Sequence, residues 1–197
     1  MLLSIFILGG SAPVDFRVHA VEVACAHRNP TLLNYTFQMN VALKMVHFPW
    51  LHLHIGGTGR YVRGRTHVVA FTKMPPFARG FHQIDLSPLD PCMWPSNYVV
   101  TMQGRSGGMT SFLLRPRSVG PTDSDPLAEA MVTLDDRDST REVVLHYVRG
   151  SIQLALTPAP VGNYLLPATA EVNIDMPGQA LTAHATLNNY TILRKAP

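Results

Sequence analysis

At 197 residues, with 46% apolar and 15% charged side chains, the chain is long enough for one sizeable core and too hydrophobic to remain disordered. A net charge of +3 provides no basic stripe of the kind that grips nucleic acid, so no nucleic-acid partner is expected. So few charges mean that apolar surface must be hidden, in a core or against a ligand.

The chain opens with "MLLSIFILGG" and then "SAP". The apolar run has the length of a signal h-region and is shorter than the roughly 20 residues of a membrane span. No Lys or Arg precedes it, and its small-x-small cleavage pattern is poor. Residues 1–13 read as a signal-like apolar segment, as the tail of a longer signal, or as a segment packed on the domain. Residues 14–197 are expected to form a single domain.

From Asp15 towards Leu33, Phe16, Ala20, Val23 and Ala24 recur at steps of three and four, which predicts a helix ending near Asn29-Pro30. The period then changes. In "NYTFQMNVALKM", Tyr35, Phe37, Met39, Val41, Leu43 and Met45 alternate with polar or small residues, predicting a strand of twelve residues over 34–45. In "HFPWLHLHIGG", FPW reads as a turn, and Leu51, Leu53 and Ile55 share one face of a second strand with His52 and His54 on the other. Gly56-Gly57 reads as a bulge or bend. A turn at Arg63-Gly64 leads into a third strand.

Residues 74–97 are crowded with prolines and read as a loop with short helical turns. Strands resume with "YVVTMQ", "MTSFLLRP", "AMVTLD", "EVVLHYV" and "SIQLAL", with turns at Asp135-Asp136-Arg137 and Arg149-Gly150 and a polar loop over 120–126. The end alternates again: Ala170, Val172, Ile174 and Met176, a Pro177-Gly178 turn, then Leu181, Ala183, Ala185 and Leu187. Nine or ten strands and one helix are expected, with no repeat period.

Chemistry-bearing motifs are few. His52 and His54 point to one side of a strand, and His67 on the next strand offers a third nitrogen, but no carboxylate or cysteine joins them in that stretch. No metal site is assigned, and the leucines of "HFPWLHLHIGG" are read as mattering more than its histidines. There is no G-x-S-x-G elbow and no phosphate loop, and the paired acids sit in turn-like segments. Cys25 and Cys92 can pair in an oxidising compartment, but two cysteines make no framework, and two small buried apolar side chains are the favoured reading. No catalytic residue and no cofactor are assigned.

Many long strands with one apolar face need a cover, and one helix with a proline-rich segment covers only part of it. The remainder closes as a barrel or stays open to a hydrophobic ligand. Methionines scattered over the strands suit such a surface.

The order of elements, and above all "REVVLHYVRGSIQLALTPAPVGNYLLPATAEVNIDMPGQALTAHATLNNYTI" with its V-G-N-Y-L-L-P hairpin, resembles the LolA/LolB-like superfamily of lipoprotein carriers and lipid-binding lipoproteins. The resemblance spans residues 15–195 through structural motifs alone. It implies a mainly β (α+β) fold in which a strongly bent antiparallel sheet forms an open half barrel under a helical and loop lid. It further implies a non-enzymatic, exported protein of the periplasm or cell envelope, whose partners are a lipid or acylated lipoprotein and an envelope membrane. A monomer is expected.

Strand alternation assigns the concave face to Phe37, Met39, Val41, Leu43, Met45, Leu51, Leu53, Ile55, Val172 and Ile174. Phe77, Phe81 and Trp94 are assigned to a movable lid. The competing readings are an envelope adaptor whose core is filled by its own lid, and a metal-dependent enzyme built on His52, His54 and His67.

Overall fold

The computed structural model describes residues 17–22, 34–62, 68–72, 87–118 and 126–193. The N-terminal apolar segment, most of the predicted first helix, the 120–125 part of the polar loop, and Arg63, Arg65, His67, Phe77 and Phe81 lie outside them. No helix among the described residues is long and apolar enough to cross a membrane.

Helix α1 contributes residues 17–22. The strands are β1 (Asn34–Met45), β2 (His52–Val62), β3 (Val68–Phe71), β4 (Tyr98–Ser106), β5 (Met109–Pro116), β6 (Leu127–Leu134), β7 (Thr140–Tyr147), β8 (Ser151–Val161), β9 (Tyr164–Met176) and β10 (Gln179–Leu193). Between β3 and β4 lie two 3-10 turns, Ser87–Leu89 and Pro91–Met93, and a single-turn helix, α2 (Trp94–Asn97).

All ten strands form one antiparallel sheet in the order β3-β2-β1-β10-β9-β8-β7-β6-β5-β4. The sheet does not close: β3 and β4 are its opposite edges. Every connection between successive strands is a hairpin except the one from β3 to β4, which must carry the chain from one edge to the other. The proline-rich segment belongs to that connection. Register shifts at Thr36/Gln38, Met102/Gly104, Leu127/Glu129 and Thr157/Pro158 mark irregularities that bend the strands. The result is the open half barrel that the sequence reading expects.

The long first strand spans the predicted residues 34–45, with Tyr35, Phe37, Met39 and Leu43 buried and Gln38, Asn40 and Lys44 exposed. Gly56-Gly57 is not a bulge. The β1–β2 pairing runs without a shift from Asn34↔Val62 to Lys44↔His52, so these glycines are ordinary members of the ladder. What the glycines supply is space. A Cβ on Gly59 would lie 1.9 Å from Cζ of Phe37, whose ring occupies the room that a side chain there would take.

Strands β8 and β9 also run further than their alternation suggests, carrying Pro158, Pro160 and Pro167 within the paired region. Pro158 faces Pro167 at the register shift, where missing N–H donors are tolerated.

The main core runs under β4–β8 and extends to Leu43, Ile55, Ile174, Leu181 and Ala183 of β1, β2, β9 and β10. Phe112, Leu114, Val132, Leu134, Val143 and Leu145 pack with Trp94, Tyr98 and Val21 of α1. Trp94 lies 5.3 Å from Phe112, ring to ring, and donates its Nε1–H to the Pro88 carbonyl at 3.1 Å. Thr140 Oγ1 donates to the Leu89 carbonyl at 3.0 Å, tying the 3-10 segment to β7. Arg17 pairs with Asp138 at 2.9 Å, tying α1 to the β6–β7 turn. That turn is built as its acids suggest: Asp135 Oδ1 accepts from the Arg137 and Ser139 N–H groups, and Oδ2 accepts from Arg141 Nε.

Candidate functional site: an apolar cavity in the open half of the sheet

Beyond the main core, the concave face opens into a cavity of about 590 Å³. Its floor is β1, β9 and β10, through Phe37, Met39, Val41, Leu43, Ala170, Val172, Ile174, Leu181, Ala183, Ala185 and Leu187. The 3-10 segment closes one side with Leu89, Asp90, Pro91 and Cys92, and the β8–β9 hairpin closes another with Pro158, Leu165, Leu166 and Pro167. The volume falls within the roughly 300–1,000 Å³ common for small-ligand sites.

The far wall is aromatic. Tyr35 stacks on Tyr61 with centroids 4.8 Å apart, and Tyr190 stands 5.7 Å from Tyr35 and 5.6 Å from Phe37. Tyr190 reaches this wall through a local irregularity in β10. Its buried positions are odd-numbered through Ala185, but Asn189 adopts a left-handed φ of 50° opposite the shift between Thr36 and Gln38. Asn tolerates that conformation, its side chain donates to Gln38 Oε1 at 2.8 Å, and the extra residue turns Tyr190 and Ile192 inward.

Tyr190 then donates its hydroxyl to the Pro167 carbonyl. Burial pushes its phenol above the ordinary range. Burial, then Tyr190, Tyr61 and the carboxylate of Asp90, push Tyr35 higher still. Both phenols therefore stay protonated and uncharged.

Six of the ten residues assigned to the concave face come together here: Phe37, Met39, Val41, Leu43, Val172 and Ile174. Met45, Leu53 and Ile55 do not line this cavity: Ile55 is buried in the core and the other two pack against it. Leu51 sits in the β1–β2 turn and is exposed. Trp94, assigned to the lid, does not line the cavity. It is fully buried in the core beside Phe112, because α2 sits over that half of the sheet and not over the cavity. Cys92 is disulfide-bonded, against the favoured reading of two free apolar thiols, and Cys25 is the chain's other cysteine.

Sequence reading missed Tyr35, Tyr61, Tyr190, Leu166 and the small residues of β10. The alternation of Leu181, Ala183 and Ala185 was visible. What it lacked was the pairing of β10 with β1, which carries those residues onto the same floor.

His52 and His54 lie on the exposed face of β2. Their neighbours across the ladder are Lys44 and Ala42, and His184 pairs with Glu171 at 2.5 Å. No group of three or more potential metal ligands occurs among the described residues. The β1–β2 turn presents Val46, Phe48, Trp50 and Leu51 to solvent, with Trp50 at 76% exposure and its ring 5.7 Å from that of Phe48.

No protein-family model and no curated protein sequence matches the chain. Its structure is similar to a DUF1329 family protein from Desulfovibrio piger, with a TM-score of 0.65 at 8% identity, covering 95% of this chain and 96% of that one. A LolA superfamily protein from Nitrosomonas europaea gives a TM-score of 0.64 at 8% identity, with 91% and 94% covered. A putative outer membrane lipoprotein-sorting protein domain from Vibrio parahaemolyticus gives 0.61 at 9% identity, with 92% and 93% covered. The fold of this chain is the LolA-like half barrel.

Proposed function

We propose that the protein is a non-catalytic carrier that holds the acyl chain of a lipid or lipoprotein in the periplasm or cell envelope. The observation that carries this reading is the apolar cavity of about 590 Å³ in the unclosed half of the sheet. A half barrel whose core was wholly filled by its own cover, as an adaptor requires, would have no such space. The structural neighbours support it: the Vibrio domain is named for lipoprotein sorting, and the fold is common to all three. A disulfide at Cys92 suits an oxidising compartment.

Binding draws on apolar burial at roughly 25 cal/mol per Å², less the cost of association. A carrier of this kind works as a monomer and uses no cofactor. Its membrane partner meets the β1–β2 tip, where Phe48 and Trp50 stand beside Lys44 and His52 in an arrangement suited to the interface of an anionic bilayer.

Native mass spectrometry of freshly purified protein, followed by organic extraction, tests the reading. A co-purified acyl lipid near one-to-one supports it. A clean apo mass, together with no uptake of added fatty-chain probes, transfers the reading to an adaptor.

A further inference from the structure

One polar group in the cavity wall is left without a task by the apolar reading. Asp90 lies between the two 3-10 turns, and its Oδ1 accepts the Cys92 N–H at 2.9 Å, capping the second turn. Its Oδ2 is buried and meets no donor among the described residues. The residue as a whole is 8% exposed and belongs to the cavity lining. The other acid on this wall, Asp138, differs: Arg17 pairs with it at 2.9 Å. A carboxylate oxygen kept from water without a donor is costly to the folded state, and a ligand that donates to it removes that cost.

We propose that Asp90 receives the polar head of the bound amphiphile, and that this head carries a hydrogen-bond donor, an ammonium or a hydroxyl, in place of an anion. The inference rests on the acyl-binding reading above and adds the head-group class to it. The apolar floor of β1, β9 and β10 takes the chain. The 3-10 segment, the only part of the wall with an unpartnered acid oxygen among the described residues, takes the head. A charged donor forms the stronger bond there and an anionic head meets repulsion from the same oxygen, whereas Arg137, which also lines the cavity, is exposed and its charge is screened by water.

The test is isothermal titration calorimetry of the full chain with three probes of one chain length: dodecylamine, dodecanol and dodecanoate. It is repeated with Asp90→Asn, which keeps an oxygen for the Cys92 N–H and replaces the second oxygen by an amide NH2. Dodecylamine is expected to bind about tenfold more tightly than dodecanoate, and Asp90→Asn to reduce that ratio to about twofold or less, with dodecanol nearly unchanged.

Equal affinities for amine and carboxylate, or a ratio that Asp90→Asn leaves intact, overturn the assignment of Asp90 while the acyl-binding reading stands. Failure of all three probes to bind overturns both. Should Asp90→Asn not fold, Asp90→Ser, which also caps a turn but has no carboxylate, is measured in its place.

Discussion

On β5, β6 and β7 the inward side chains Phe112, Leu114, Val132, Leu134 and Val143 are all 0% exposed, whereas on β1 and β10 Phe37, Met39, Ala183 and Ala185 stay 6–8% exposed and face a cavity. Both sets are apolar and both point to the same side of one sheet. Two things separate them. The closed half is covered by α2 and the 3-10 turns, tied down by Thr140 and by Trp94 against Phe112. The open half carries small residues, with Ala170, Ala183 and Ala185 on the cavity floor where its counterpart carries leucines and a phenylalanine. A bent sheet thus becomes core or container according to residue size and the landing place of one connection.

Substitutions can break that contrast. The largest effect is expected from Phe112→Ala, which should destabilise the fold by about 3–5 kcal/mol in denaturant titration, since the packed half has nothing to refill the hole. Gly59→Ala comes next. Its new Cβ would strike the Phe37 ring, and a loss of about 1–3 kcal/mol together with a smaller cavity is expected from denaturation and probe binding.

Ala185→Leu sharpens the contrast, because it fills existing space. Fatty-chain affinity should fall about tenfold in calorimetry while the denaturation midpoint stays within error. A large stability loss instead would show that the floor is packed like the other half. The smallest folding effect, within about 0.5 kcal/mol, is expected from Trp50→Ser, since that side chain touches little but Phe48. The same variant should sediment several-fold less with anionic vesicles if the tip meets a membrane.

Much of this architecture was legible in the residues. Strict alternation over Asn34–Met45 marks a long strand whatever surrounds it, and Pro177-Gly178 and Arg149-Gly150 mark hairpins by local geometry. The division between core and cavity was not legible. Ile55 and Phe37 have the same periodicity and similar chemistry, and what separates them is position along the paired β1–β2 ladder: Ile55 faces Val41 and is buried in the core, whereas Phe37, opposite Gly59, lines the cavity. Trp94 misleads for a related reason: a tryptophan in a proline-rich loop looks like a lid until the loop's crossing point is known. Tyr190 depends on one left-handed asparagine, a change of phase that alternation counting passes over.

The two tryptophans sit at opposite extremes, Trp94 fully buried beside Phe112 and Trp50 standing in water at a hairpin tip. The protein therefore carries two optical reporters that need no labelling. Blue-shifted emission shielded from acrylamide belongs to Trp94 and follows the packed half as it melts. Red-shifted, quenchable emission belongs to Trp50 and changes only when something settles on the tip. A single titration with vesicles can thus separate docking from unfolding by colour alone.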